Sequence, residues 1–513
     1  MKTLPSQVAM RHVMEKVLDI RKRREAKSDT TLNVQSSFAS MPKELNIVVL
    51  GGSVTMGVNC PVTPLNFDRN RRNRDPTCAW PKRLEMMLSY LLGQEVPLKI
   101  VSIAAGGTDS GVGKQLIDFD LITKSLHGSP DIIINAYSTN DMHITAMRNS
   151  AAKNMTLADA VFETQQSFVR SALSYGCGKD PPLLIFVDDY LGNEQNRLKE
   201  IVEANKAISQ LAVYYDFMFI SYADAVRRMV YGGVKENWLS PKWINGSNRW
   251  VRQIHPTMGA HIAMAYVVAF NILNAVISFC NEEAYAPCLN VSLNHCDSSI
   301  PRVDKEKDRP GSPSKIPDGL PPLWTDDLML HNVSSQWRQQ AESNESNCDQ
   351  TKGDGKFSRC SFAWIAGMSV KSIYELQKYL HPFSGDIATD QSWDIVDDHG
   401  KLGLSPSGTI GDKIVFALPD DAGIRFVYVF AMKSYGEKWS DSAARLSLFR
   451  LDQTSAVLAE ELSGWHDSLI SVTYTYKFDL GKDALSVEEK GRLEVELIGG
   501  QTFKITGLAL CAF

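Results

Sequence analysis

The chain has 513 residues, 44% hydrophobic and 22% charged, with a formal net charge of −5. That length exceeds one ordinary hydrophobic core and points to two domains of a soluble globular kind. The slight acidity removes any global electrostatic case for a nucleic-acid or anionic-membrane partner.

The first predicted element is a helix over 5–27 that ends in the basic run "RKRREAK", Arg21 to Lys27. The run reads as a solvated helix end, and residues 1–44 as an N-terminal helical extension. From Asn46 to about Cys280 strand and helix alternate. Short apolar runs at 47–50, 98–103, 131–137, 183–188 and 217–221 read as buried strands, with helices at 79–92, 157–175 and 197–214 between them. Five such strands imply a parallel sheet covered on both faces, with its crevice at the carboxyl ends of the strands. The apolar run "HIAMAYVVAFNILNAVISF", His261 to Phe279, is nearly long enough to span a bilayer. It contains Asn271 and Asn274 and has no basic flank after it, so it is expected to be a helix buried against the sheet. No integral membrane segment is expected.

Residues 281–355, rich in Pro, Ser, Asn and charge, read as a linker, extended and partly disordered. From 356 to 513, segments such as "RFVYVFAMK", "VTYTYKFDL" and "RLEVELIGG" alternate in polarity and are separated by turns, which predicts an antiparallel β-sandwich. There are nine cysteines and no C-x-x-C pair, so zinc is disfavoured and disulfides fit better. Cys280, Cys288, Cys296, Cys348 and Cys360 cluster in or beside the linker. Glycosylation sequons at Asn154, Asn245, Asn290, Asn332 and Asn344 agree with a secretory or extracellular glycoprotein, although the chain opens with no leader pattern.

The chemistry gathers where the strands end. "NIVVLGGSVTMG", Asn46 to Gly57, runs from a buried strand into a bare turn with Ser53 at its tip. It lacks the lysine of a P-loop and the G-x-G-x-x-G spacing, so phosphate binding is disfavoured. A plain structural turn and a serine nucleophile both remain. The second strand delivers "SIAAGGTDS" with Gly106 and Gly107, and the third delivers "NAYSTNDMH" with Asn140 and Asp141. After the fifth comes "RQIHPTMGAH", with His255 before the long apolar helix. A serine needs a neighbouring imidazole to take its proton, and a tetrahedral intermediate needs preorganised donors. Ser53 N–H, Gly107 N–H and the Asn140 amide are candidates. Helix capping by Asn140 and a merely permissive turn at Gly106 and Gly107 are the competing readings.

"GGSVTMG", "AAGGTDS", "STND" and "IHP" together resemble the four blocks of the SGNH (GDSL-type) hydrolases, over about residues 45–280. The resemblance implies a flavodoxin-like three-layer α/β/α domain and ester or acyl hydrolysis with no metal or other cofactor. Carried over, Ser53 is the nucleophile, Gly107 (with Gly106 as a near alternative) and Asn140 complete the oxyanion hole, and His255 is the base. The expected substrate is an ester, with acetyl groups on carbohydrate as the favoured case; acyl transfer to an alcohol uses the same machinery. One position departs from the family pattern. Three residues before His255 stands Arg252, not an acid, and arginine cannot accept the imidazole N–H. Asp188, Asp189 and Glu236 are alternative acids, and a backbone carbonyl is another. The same departure keeps open a catalytically weak or inactive glycan-binding protein on this fold.

Overall fold

The computed structural model describes residues 3–28, 44–58, 60, 75–93, 96–122, 126, 128–145, 155–175, 181–190, 198–231, 243–244, 251–252, 255–256, 258–282, 323, 360–365, 392–398, 401–418, 423–451, 453–467 and 470–512. The five sequons, Glu236, Trp238, Trp250, His381, Cys288, Cys296, Cys348 and nearly all of the expected linker lie outside the described residues.

Helix α1 (Gln7–Ser28) precedes a doubly wound unit: β1 (Leu45–Gly51), α2 (Trp80–Leu92), β2 (Leu98–Ala104), α3 (Ser110–Asp118), β3 (Ile132–Ala136), α4 (Leu157–Leu173), β4 (Leu183–Asp188), α5 (Leu198–Tyr214), β5 (Met218–Ser221) and α6 (Tyr222–Tyr231). A short ribbon of β6 (Trp243–Ile244) and β7 (Val251–Arg252) leads to α7 (Met258–Glu282). The five strands are parallel, in the order β2-β1-β3-β4-β5. That is the flavodoxin-like order, whose switch point lies between β1 and β3. Strands β1, β3, β4 and β5 are buried along their whole length because helices cover both faces. Leu116, Phe168 and Ile208, from α3, α4 and α5, fill one side; Leu84, Met264 and Val268, from α2 and α7, fill the other.

The long apolar helix packs against the sheet as expected, with one face: Met264, Val268 and Ile272 face the sheet, while Ile262, Tyr266 and Phe270 are exposed. Among the described residues it is the one helix long and apolar enough to cross a membrane by length and composition, but 44% of its most apolar window is buried inside the protein. In α1 the basic end is not wholly solvated, since Arg23 is buried while Lys22 and Arg24 are exposed.

The C-terminal strands are β8 (Cys360–Ile365), β9 (Trp393–Asp398), β10 (Lys401–Pro406), β11 (Lys413–Ala417), β12 (Phe426–Lys433), β13 (Ala443–Arg450), β14 (Ala456–Ser463), β15 (Val472–Asp479), β16 (Gly491–Gly499) and β17 (Ile505–Cys511). They form a six-stranded sheet, β15-β12-β17-β10-β9 with β8 on β17, and a four-stranded sheet, β11-β16-β13-β14. All the pairings are antiparallel. Val427, Val429 and Leu508 from one sheet share a core with Leu446, Leu493 and Val495 from the other, which makes a sandwich. The outer side of the larger sheet is not left to solvent. Phe119, just after α3, meets Tyr428 and Phe430 edge-on at centroid distances of 5.0 and 6.3 Å. Thr475 Oγ1 donates to Gln115 Oε1 at 3.0 Å, so apolar and polar contacts both join the two units. Disulfides Cys60–Cys78 and Cys360–Cys511 stand among the described residues; the first ties the turn after β1 to the start of α2, and the second ties β8 to β17.

Candidate active site

The turn after β1 is bare because there is no room for side chains beside it. A Cβ on Gly51 would lie 2.2 Å from Thr55 Oγ1, and one on Gly52 would lie 2.2 Å from Asn140 Nδ2. Backbone bonds from Met56 N to Gly52 O (3.0 Å) and from Val58 N to Ser53 O (3.1 Å) curl the turn so that Ser53 stands at its head, half-buried. The imidazole of His255 reaches it from the far end of the α/β unit: Nε2 lies 2.8 Å from Ser53 Oγ. His255 is half-buried and Pro256 behind it is buried. His261, one turn into α7, is also buried and accepts from Trp80 N at 3.3 Å through Nδ1. Burial, with help from Arg83, pushes its pKa down to about 3, so that histidine is neutral and serves packing. His143 lies edge-on to Tyr190 with ring centroids 5.0 Å apart.

The loop after β2 continues the sheet register for one more bond, Ala105 N to Gly51 O at 3.1 Å, and so lies beside the serine turn. A Cβ on Gly106 would be 3.8 Å from Ser53 Cβ. Gly107 has φ +81°, which glycine adopts freely, and any Cβ there would meet Ser471 O at 2.7 Å. Its carbonyl accepts from Thr473 N at 2.8 Å. The second glycine is therefore required both by its own dihedral and by the sandwich resting on it. Asn140 closes a single helical turn, Ser138–Asn140, at the end of β3. Its side-chain amide lies against Gly52 and donates from Nδ2 to Thr108 O. The amide thus bridges the first and second glycine loops rather than capping a helix.

Carboxylates hold this frame from below. Asp189 Oδ1 accepts from Ser138 Oγ (2.7 Å), Thr139 Oγ1 (2.7 Å) and Thr139 N (3.3 Å), the two residues before Asn140. Burial raises its pKa to about 6 against the pull of those bonds. Asp188 accepts from Tyr190 N (3.2 Å) at Oδ1, and from Asn205 Nδ2 (3.0 Å) and Ser221 Oγ (2.7 Å) at Oδ2. The two aspartates considered as partners for His255 are thus engaged with β5, α5 and the Asn140 turn; the Arg252 side chain lies outside the described residues. Asp141, next to Asn140, accepts from Ser110 N (2.8 Å), from Ser110 Oγ (2.7 Å) and from Gln165 Nε2. Burial, and then the charge of Asp109, raises it to about 8. Sequence reasoning missed the structural roles of Asp141 and Asp189; the adjacency of Asp141 to Asn140 in "STND" was the available signal. Nothing in the linear sequence links Lys401, Ser471 or Thr473 to the serine.

Among the described residues no group of three or more His, Cys, Asp or Glu could hold a metal ion. The arrangement that is present can move a proton from Ser53 Oγ to His255 Nε2 beside a cluster of polar donors.

No protein-family model and no curated protein matches the sequence. Solved structures do align. A two-domain esterase (CEX) active on acetylated mannans is 14% identical over 100% of this chain and 97% of its own, with a TM-score of 0.46. The acetylxylan esterase Axe2 from Geobacillus stearothermophilus is 15% identical over 45% of this chain and 94% of its own, with a TM-score of 0.30. The lipase Lip_vut3 from a goat rumen metagenome is 14% identical over 44% of this chain and 95% of its own, with a TM-score of 0.31. Likeness at this level has no bearing on chemistry, which rests on the residues of the rim.

Proposed function

We propose that this chain is a serine esterase or acylhydrolase of the SGNH type, and that it removes acyl groups, acetyl on carbohydrate first among them, through an acyl-enzyme. The observation that carries the reading is the 2.8 Å approach of His255 Nε2 to Ser53 Oγ at the carboxyl end of β1. It lies beside the β1/β3 switch point, where ligands bind in sheets of this order. A serine that only shaped a turn has no use for an imidazole delivered from 202 residues away.

In this reading Ser53 Oγ attacks the acyl carbon as its proton passes to His255 Nε2. The charge that forms on the carbonyl oxygen is met by Ser53 N–H, Gly107 N–H and the Asn140 amide. Asn140 Nδ2 carries two N–H groups, and the bond to Thr108 O uses one of them. Collapse of the intermediate breaks the ester C–O bond, and the imidazolium gives its proton to the departing alkoxide. Water, deprotonated in turn by His255, then attacks the acyl-enzyme and releases the carboxylic acid and Ser53. Asp188 and Asp189 face other donors, which leaves a backbone carbonyl, our preferred choice, or Glu236 to orient the imidazole. The hydrolase unit spans 45–280 and the sandwich 356–513, joined by 281–355. The two disulfides among the described residues support an oxidising, extracellular or secretory setting.

The test is direct. A fluorophosphonate probe labels Ser53 in the parent, and Ser53→Ala abolishes both labelling and hydrolysis of a short-chain aryl ester, with thermal unfolding unchanged. Undiminished turnover in a normally folded Ser53→Ala ends the serine-esterase reading.

A further inference from the structure

The outer side of α7 carries the wrong chemistry for water. An exposed helix face is ordinarily charged, as on α5, where Lys199, Glu200, Glu203 and Lys206 stand outward. From Met258 to Asn281, α7 contains no Asp, Glu, Lys or Arg. Met258, Ile262, Tyr266, Phe270 and Ile277 are exposed, Tyr266 by 62% and Phe270 by 51%. Their spacing sets them on one stripe about 29 Å long, opposite the face that covers the sheet.

A second helix widens the stripe into a patch. Alongside α7 lies α2: Trp80 N donates to His261 Nδ1 at 3.3 Å, and Leu84 and Leu88 share a core with Met264 and Val268. On its outer side α2 exposes Met86, Tyr90 and Leu91, with Tyr90 88% exposed. At roughly 200 Å² for a large side chain, the exposed fractions on the two helices amount to an apolar surface on the order of 800 Å². The largest apolar patch on an ordinary monomer is about 300–600 Å². A stable protein interface takes about 800 Å² from each partner. The patch is of the second kind.

Its chemistry selects the occupant. Crossing a bilayer would strip the sheet, since Met264, Val268 and Ile272 on the other side of α7 are its cover. A helix that lies on a membrane surface ordinarily sets Lys and Arg along its polar face, and α7 has neither. The net charge of −5 adds no pull toward anionic lipid. A second copy fits better. The middle of the stripe is a stacked pair, Tyr266 and Phe270, with centroids 6.2 Å apart and planes inclined by 15°. A two-fold axis between these rings sets Tyr266 on the partner's Phe270 and Phe270 on the partner's Tyr266. That is the self-complementarity a closed dimer requires. Rings already stacked within each copy lose little freedom on docking, and central aromatic side chains are where binding energy concentrates.

We propose that this face is the interface of a homodimer, in which α7 packs on the partner's α7 about an axis between Tyr266 and Phe270, with α2 on its flank. The inference is independent of the chemistry at Ser53.

Sedimentation velocity on the full chain between about 0.5 and 50 µM reads the association. The expected species has twice the mass of the denatured chain and dissociates on dilution, with a Kd that is micromolar or tighter. Tyr266→Glu places a carboxylate at the axis from each copy, and Phe270→Ser removes one ring of the pair. Each raises Kd at least roughly 30-fold. Both positions are exposed in the single copy, so circular dichroism of the variants matches that of the parent. If Tyr266→Glu misfolds, Phe270→Ser carries the test alone. Val213→Glu puts the same charge on the exposed side of α5 and leaves Kd unchanged. A parent that is monomeric across the range overturns the proposal, and flotation of that monomer with phosphatidylcholine vesicles assigns the face to a bilayer instead. A dimer that neither α7 variant weakens overturns it too, as does an equal weakening by Val213→Glu.

Discussion

At the scale of single residues, Asp189 holds the turn that carries Asn140. Its Oδ1 gathers two hydroxyls and a backbone N–H from Ser138 and Thr139, so the turn that presents the Asn140 amide is anchored to the end of β4. An amide asked to bind charge that appears only in the transition state acts on kcat rather than on KM. Asn140→Ala is therefore expected to lower kcat by roughly 10²–10³ with KM little changed. Asp189→Asn, which replaces a charged acceptor by a neutral one, lowers kcat less, by about tenfold. The pH dependence separates anchoring from mere packing. Because burial raises the Asp189 pKa to about 6, the carboxylate is ionised at pH 8 and protonated at pH 5. The gap in kcat between parent and Asp189→Asn is thus wide at pH 8 and narrows at pH 5. Steady-state rates on one aryl ester at both values check this, and a gap independent of pH refutes the anchoring role.

At the scale of elements, the start of α3 depends on Asp141 as much as on its own N-cap, Asp109. Asp109 takes Val112 N at 3.1 Å, while Asp141, arriving from the end of β3, takes the N–H and hydroxyl of Ser110. Gln165 of α4 joins from the other side, donating to both Asp141 Oδ2 and Ser110 Oγ. A buried carboxyl whose folded-state pKa is raised to about 8 holds its proton more tightly in the native chain than in the unfolded one. Between about 4, the unfolded value, and about 8 the native state binds more protons, so this group's contribution to stability falls as pH rises. Asp141→Asn keeps the shape and cannot ionise. Relative to the parent it is expected to gain stability from pH 5 to about pH 8 and to level off above that, measured by urea midpoints at matched ionic strength. A constant difference across that range argues against the raised pKa.

At the scale of the whole molecule, the sandwich and the α/β unit share a core. Phe119, Ile365, Phe430 and Ala509 belong to one buried cluster with the residues of α3 and α4. Thr473 N holds Gly107 O at 2.8 Å, so docking of the sandwich and placement of the second glycine loop are one event. The parent is expected to unfold in a single transition by tryptophan fluorescence. Phe119→Ala removes the ring that meets Tyr428 and Phe430, costs about 3–5 kcal/mol, and splits that transition in two. Its ester turnover falls as well, since Gly107 loses its cover. Two transitions in the parent itself show the domains to be independent.

The strands and their carboxyl ends were legible in the sequence for a physical reason. A strand buried on both faces is a continuous aliphatic run, and "LLIFVD" and "NIVVLG" are too short for helices and are bounded by turn residues. The alternation of the C-terminal segments marked strands β11, β12, β13, β15, β16 and β17 in the same way. Strands β9, β10 and β14 escaped because "WDIVDD", "KLGLSP" and "AVLAEELS" are short or polar, and their pairing comes from neighbours rather than from their own pattern. Short α3 escaped likewise, since its start is built by Asp141 and Gln165 from elsewhere in the chain. Ser53, Gly107, Asn140 and His255 could be named from local motifs, because glycine-bare turns after buried runs are local facts. That Nε2 of one stands 2.8 Å from Oγ of another is not local, and neither is the placement of Lys401 across Gly106. Local sequence determined which residues lie at the ends of strands. Only the tertiary packing, by bringing the sandwich's sheet at Thr473 onto the turn at Gly107, far earlier in the chain, decided what those ends face.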